Sequence, residues 1–335
     1  MCDYVSVQLV KMAKIKNVDN YEKLSEAAFN RHFFYLTNIF CFLSAFGAMM
    51  GYCQLVNDSM KEFLKNFISE NSQIEKYAVY TTIGMIILFV APFAFLRNLS
   101  SLSLVSILNL VTFSIVAVVV IATGIRISDG NFDKNKKDFE FNGFISAFGT
   151  LSYAFVCHDN TFPVFAGLKN GTQKRWDKVV HITVLSLTLI YWIFPSFCYF
   201  FIPEINDYIL NSQSISDLLE IKISQILLAI TILLTYLTKV HVTRIYITNL
   251  LKRFGKNIEN LPRRWFLLVH CGITTMFYKI LLRFRIMILS TMLGIVTGNL
   301  MFIVALTGLV TSTAIGFVFP VLIIIKVSIV KCLTD

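Results

Sequence analysis

Charged side chains are scarce in this sequence. They make up 15% of its 335 residues, where an ordinary soluble domain carries about 25%. No Cys-x-x-Cys pair occurs, and none of the seven cysteines stands at zinc-ligand spacing from a histidine, which excludes the common zinc modules. Cys41, Cys53, Cys157, Cys198 and Cys271 lie inside or beside apolar runs and read as small buried hydrophobes. The N-terminus lacks the long apolar core of a signal peptide, because Asp3 and Lys11 interrupt it. The net charge is +10, yet no stripe of Lys and Arg interleaved with aromatics is present, so no nucleic-acid partner is expected.

What the chain does have is apolar surface. Hydrophobic residues make up 56% of it, with 31 phenylalanines, and the mean hydropathy is +0.68. A bilayer accommodates that surface because the solvent itself is apolar. Runs long enough to cross about 30 Å of hydrocarbon recur along the chain. They fall near 33–56, 77–96, 102–125, 142–168, 179–202 and 223–251, and the charge-free stretch 286–325 has length for two more. Spans in lipid must satisfy their own backbone polar groups, so they are helical. The expectation is an all-α, polytopic membrane helix bundle of about eight transmembrane helices. Residues 1–32 form a cytoplasmic N-terminal segment, 33–325 the transmembrane domain and 326–335 a short C-terminal tail. With the N-terminus inside, Lys169, Lys174, Arg175, Lys178, Lys252, Arg253 and Lys256 fall in cytoplasmic loops. The acidic loop of Glu204, Asp207, Asp217 and Glu220 falls outside, as the positive-inside rule requires. Of the glycosylation sequons at Asn57, Asn98 and Asn170, only Asn57 lies outside in this topology.

The fourth run contains a polar cluster, Cys157-His158-Asp159-Asn160-Thr161, followed by Pro163. A charge such as Asp159 is costly at the bilayer centre, about 3 kcal/mol on insertion scales. Proline removes a backbone donor and clashes with the carbonyl four residues back. Together they predict a broken helix, whose unwound backbone is tolerated only inside protein or beside water. Secondary transporters use such breaks to hold substrate. In the sixth run Thr231, Thr235 and Thr238 share one helix face. Their hydroxyls either help ligate sodium or bond carbonyls of their own helix, and the second is the commoner use. Lys239 and Arg244 sit near the end of that run and can extend their charged heads to the interface.

The segment Ser152-Tyr153-Ala154-Phe155-Val156-Cys157-His158-Asp159-Asn160-Thr161-Phe162 resembles the Ser-Phe-Ala-Phe-x-Cys-His-His-Asn-Ser-Phe pattern in the sixth helix of sodium-coupled neutral amino acid transporters. These belong to the amino acid/auxin permease family and have a LeuT-like fold. Tyr21-Glu22-Lys23-Leu24, Phe46-Gly47-Ala48-Met49-Met50-Gly51-Tyr52, Leu96-Arg97-Asn98-Leu99 and Leu234-Thr235-Tyr236 resemble further family segments in the same order. The resemblance implies secondary transport of neutral amino acids by alternating access, in the plasma membrane rather than the lysosomal one. It implies an amino acid substrate contacted by Ser152, Phe155, Cys157, His158 and Asn160. It also implies sodium as coupling ion with Thr235 as a ligand, and no other cofactor.

Several positions depart from the family pattern. Asp159 replaces a histidine, Leu237 a proline and Lys239 an acidic residue. The resemblance aligns the chain with family helices three to ten and not with the first, so a truncated, partial LeuT-like product is the expectation. Two other classes fit less well. A seven-helix receptor would carry an Asp-Arg-Tyr triplet and paired extracellular cysteines. An enzyme would need more than adjacent Cys157 and His158, which point about 100° apart on a helix.

Overall fold

The computed structural model describes residues 2–65, 71–90, 102–128, 141–203, 209–212, 215–216, 218–255 and 272–334. All regular structure among these residues is helical. The α-helices are α1 (Cys2–Lys16), α2 (Tyr21–Ala28), α3 (Arg31–Lys65), α4 (Asn71–Met85), α5 (Leu102–Ile127), α6 (Phe144–Phe155), α7 (Thr161–Gly167), α8 (Gln173–Phe201), α9 (Leu219–Gly255), α10 (Gly272–Thr297), α11 (Leu300–Thr307) and α12 (Phe319–Thr334). A π turn, Ile86–Val90, continues α4, and two more, Gly308–Ser312 and Ala314–Val318, join α11 to α12. The chain is a polytopic membrane helix bundle. Five described helical stretches are long and apolar enough to cross a membrane: Arg31–Lys65, Ser106–Ile127, Gln173–Phe201, Leu219–Leu250 and Leu300–Ile329.

The structure moves several boundaries drawn from hydropathy. The polar stretch after Val56 is not a loop as far as Lys65, because α3 runs on through it. Ion pairs one helical turn apart support that extension, Lys61 with Asp58 at 3.7 Å and Lys65 with Glu62. Asn57 is consequently 2% exposed and cannot present itself for glycosylation. Residues 2–28 hold two helices whose Val5, Leu9, Val10 and Leu24 are buried. At the other end α12 continues past residue 325 to Thr334. The Leu96-Arg97-Asn98-Leu99 link lies outside the described residues.

The chain forms two compact units. One is built from residues 1–44, 140–192 and 304–335, the other from 45–139 and 193–303. In the second unit, Met49, Cys53, Val56 and Met60 line one face of α3, at helical spacing. They share a core with Ala229, Leu233, Tyr236 and Val240 of α9 and with Met287 of α10. Tyr236 is a large buried residue whose polar end is satisfied. Its hydroxyl lies 2.7 Å from the Ser290 hydroxyl and donates to the Met287 carbonyl at 3.4 Å. Gly298, between α10 and α11, has φ +64, a left-handed conformation that glycine adopts without cost. Its carbonyl accepts from the Gln54 side chain at 3.3 Å.

In the first unit, Val10, Trp176 and Val180 form an apolar cluster. The Trp176 indole donates to the Ser6 carbonyl at 3.1 Å, tying α8 to α1. The tightest packing joins α6 to the end of α11. A Cβ on Gly149 would stand 2.6 Å from the Ala305 carbonyl oxygen, and a Cβ on Gly308 would overlap the Gly149 carbonyl. Only residues without side chains let backbones approach so closely, a device common between membrane helices.

Candidate functional site

The break expected in the fourth run is present, and its construction differs from the expectation in one respect. α6 ends at Phe155, and Val156 turns extended with φ -75 and ψ 111. The Val156 amide donates back to the Tyr153 carbonyl at 3.3 Å. His158–Asn160 form a short 3-10 turn, in which the Asn160 amide donates to the Cys157 carbonyl at 3.1 Å. α7 then starts at Thr161, whose hydroxyl also reaches that carbonyl, at 3.5 Å. Pro163 is the third residue of α7. It does not break a continuous helix from within. It occupies the first turn of the second half, where an amide would have no intrahelical partner and the ring's fixed φ suits the helix.

All five residues expected to contact substrate belong to this stretch. Ser152 and Phe155 are three apart on the last turn of α6, one buried and the other half-buried. The Phe155 ring stands edge-on to Tyr191 at 5.2 Å, and the Tyr191 hydroxyl donates to the Ala154 carbonyl at 3.2 Å. Cys157 is exposed, with its sulfur 3.9 Å from the Ser6 hydroxyl. Asn160 is half-buried at the end of the turn. His158 is 0% exposed, and the backbone of Cys2 on α1 reaches its ring. Gly316 allows the last helix to pass beside the histidine; a Cβ there would lie 3.3 Å from His158 Nδ1.

A second contact also holds the last helix in place. The Tyr21 hydroxyl donates to the Ile315 carbonyl at 2.9 Å, fully buried. Ile315 lies in a π turn, where its carbonyl would accept from residue 320. Residue 320 is proline and has no amide hydrogen. Tyr21 supplies the missing donor. Its ring also stacks on Phe162, with centroids 6.4 Å apart, which fixes α2 against the start of α7. Glu22, beside it on α2, is buried. That burial raises its carboxyl above the ordinary range, and the nearby Asp159 adds to the effect.

Thr235 lies in the other unit, on α9. The three threonines do back-bond: Thr231 to the Leu227 carbonyl at 2.8 Å, Thr235 to Thr231 at 3.0 Å and Thr238 to Thr235 at 2.7 Å. Among the described residues, Thr235 alone of the three also bonds a side chain on another helix. Asn109 of α5 donates its amide to the Thr235 hydroxyl at 2.7 Å. The carbonyl oxygen of the same amide is buried with no partner among the described residues. Sequence reasoning missed Asn109, because nothing local marks it as the neighbour of a residue 126 positions away. A hydroxyl with a free lone pair and an unpaired amide oxygen form the hard, neutral donor set that suits an alkali cation.

The family model described as transmembrane amino acid transporter protein matches residues 1–332. The chain belongs to that family. Amino acid transport is the family's activity, and this member is similar to several named transporters. It is 23% identical to the human "Putative sodium-coupled neutral amino acid transporter 11" over 331 residues, 97% of this chain and 76% of that one. The Rattus norvegicus protein of the same name is 24% identical over 339 residues, 97% of this chain and 68% of its own. Vacuolar amino acid transporter 2 of Saccharomyces cerevisiae is 26% identical over 149 residues, 43% of this chain and 31% of its own. No solved structure matches the chain.

Proposed function

We propose that this member of the transmembrane amino acid transporter family moves neutral amino acids by alternating access, coupled to sodium, across the plasma membrane. Residues 33–325 are its transport domain. The observation that carries the reading is the break at Val156–Asn160. It frees backbone groups from the helix ladder beside an exposed thiol and a side-chain amide. A zwitterion needs both donors and acceptors, and an unwound stretch offers them without a fixed charge. Ser152, Phe155, Cys157, His158 and Asn160 are the substrate contacts of this reading. Sodium is the coupling substrate, held in part by the Thr235 hydroxyl and the Asn109 amide oxygen. The names of the human and rat relatives support that ion.

The test is uptake of neutral amino acids by the full-length protein in cells, with sodium or with choline outside. The Cys157→Ala/Asn160→Ala double variant reaches the membrane in normal amount and loses most of its uptake. Unchanged uptake in that variant overturns the site assignment. Equal uptake in choline overturns the sodium coupling alone. Surface biotinylation reports the membrane.

A further inference from the structure

Three cationic side chains gather where α9 packs on α10. His241 and Arg244 are three residues apart on α9, and an Arg244 Nη donates toward the histidine ring at 3.4–3.5 Å. Arg283 of α10 lies within electrostatic reach of both. The two helices run antiparallel, since Tyr236 meets Ser290 deeper along the pair. Arg283 is only 6% exposed, and its Nε has no hydrogen-bond partner among the described residues. Among the described residues no carboxylate forms an ion pair with any of the three. Two guanidiniums brought together with no anion among the described residues repel each other, and the buried Arg283 also forfeits hydration. The cluster is therefore built to hold an anion.

Its depth indicates which anion. Arg244 stands six residues before the end of the span Leu219–Leu250, about 9 Å along the helix axis. That is the level of lipid phosphates and the hydrocarbon just beneath them. From Phe284, the residue after Arg283, an apolar groove of about 470 Å³ runs along α10, bounded on its other side by α4 and its π turn. Its walls include Ile83, Ile87, Met287, Ile288, Met292 and Val296. Met287 is one helical turn beyond Arg283 on the same face. From Arg283 to Val296 is 13 residues, about 20 Å of helix. Half of a bilayer's hydrocarbon is about 15 Å thick, so the groove has the length of one acyl chain.

We propose that Arg244, His241 and Arg283 bind the phosphate of an anionic phospholipid whose acyl chain lies in the groove between α4 and α10. Basic pockets between membrane helices recognise such headgroups, and the groove adds a place for the chain. Free phosphate shares the headgroup chemistry and lacks the chain, which separates the two sources by experiment.

The experiment uses the full-length protein purified in detergent, with bound lipid read by native mass spectrometry. Its thermal midpoint is measured with phosphatidylglycerol, phosphatidylcholine or inorganic phosphate. Phosphatidylglycerol is retained and raises the midpoint, whereas phosphatidylcholine and inorganic phosphate leave it unchanged. Arg244→Gln and Arg283→Gln each weaken retention about fivefold. If Arg283→Gln fails to fold, Met292→Trp serves instead, because it fills the groove from its lipid-exposed side and leaves the charges in place. That variant too loses the bound lipid. Equal retention of phosphatidylcholine, stabilisation by inorganic phosphate alone, or unaltered retention in Arg244→Gln and Met292→Trp overturns the proposal.

Discussion

The amide of Asn109 donates to the hydroxyl of Thr235 at 2.7 Å, and the buried oxygen of that amide has no partner among the described residues. The two residues sit on α5 and α9, in one unit of the molecule. An oxygen with no partner beside a hydroxyl with a spare lone pair is where a cation finds two ligands without displacing any bond. Under the proposed sodium coupling, removing either group weakens the ion more than it weakens the helix packing.

Thr235→Ala and Asn109→Leu each raise the sodium concentration for half-maximal uptake about tenfold or more, the usual worth of one hydrogen-bond-strength contact to a charge. Maximal uptake at saturating sodium changes less. Uptake measured against sodium concentration checks this. An unaltered sodium requirement in both variants removes the pair from the coupling site.

Cys157 is exposed at the break, while Cys41, Cys53 and Cys198 are buried. A membrane-permeant maleimide accordingly labels Cys157 well ahead of those three, and a transported amino acid slows the labelling. Peptide mapping after brief exposure reads both effects, with Cys157→Ser as the blank. Labelling at Cys157 that ignores substrate places the thiol outside the substrate path.

Glu22 gives stability a pH dependence of defined sign. Burial raises its folded-state carboxyl above 4.5, so the native state holds its proton more tightly than the unfolded chain. Stability is then greatest at low pH and falls as pH rises from 4.5 through the raised folded value. Glu22→Gln flattens that slope and raises the melting midpoint at neutral pH. Thermal melts of wild type and variant across the acid range test it, and parallel curves would show the carboxyl has no such role.

Gly308→Ala places a methyl group into the Gly149 carbonyl, and the backbone on both sides must move. The cost is about 1–3 kcal/mol, seen as a lower melting midpoint and less monodisperse protein on size-exclusion. Gly84→Ala is the control, since a Cβ there meets nothing within 4 Å. In a helix interior it changes stability by under about 1 kcal/mol, in the favourable direction.

Tyr21→Phe leaves the buried Ile315 carbonyl without its donor and costs about 1–3 kcal/mol. Pro320→Ala added to it restores part of the loss, because residue 320 then has an amide to give. Melting midpoints of the two single variants and the double reveal that coupling; simple additivity would argue against the shared carbonyl.

How much of this was legible in the sequence depends on how far apart the interacting residues are. The break was legible because Asp159 and Pro163 are local features that a membrane helix tolerates badly. Its exact edge was not, since a proline reads alike whether it ends one helix or starts the next. Hydropathy placed the end of α3 at Val56, but apolarity reports where lipid ends, and Gln54, Asp58 and Lys61 keep the helix going by bonds along its own surface. Thr235 was visible as part of a hydroxyl face. Asn109, Tyr21 and the glycine pair were not, because each acquires meaning only from a partner more than a hundred residues away.

The unit that holds the break is assembled from three stretches of chain separated by the whole of the other unit. Its Tyr21–Ile315 bond joins residues 294 positions apart. At ordinary rates of synthesis the tyrosine waits roughly 15 to 60 s for its partner to emerge. Through the later half of that interval the membrane already contains the broken helix, while α1 and α2 wait beside it without their last support. A ribosome stalled before residue 315 therefore leaves in the bilayer a polar break with one wall missing, the kind of exposed surface that quality control in the membrane can detect.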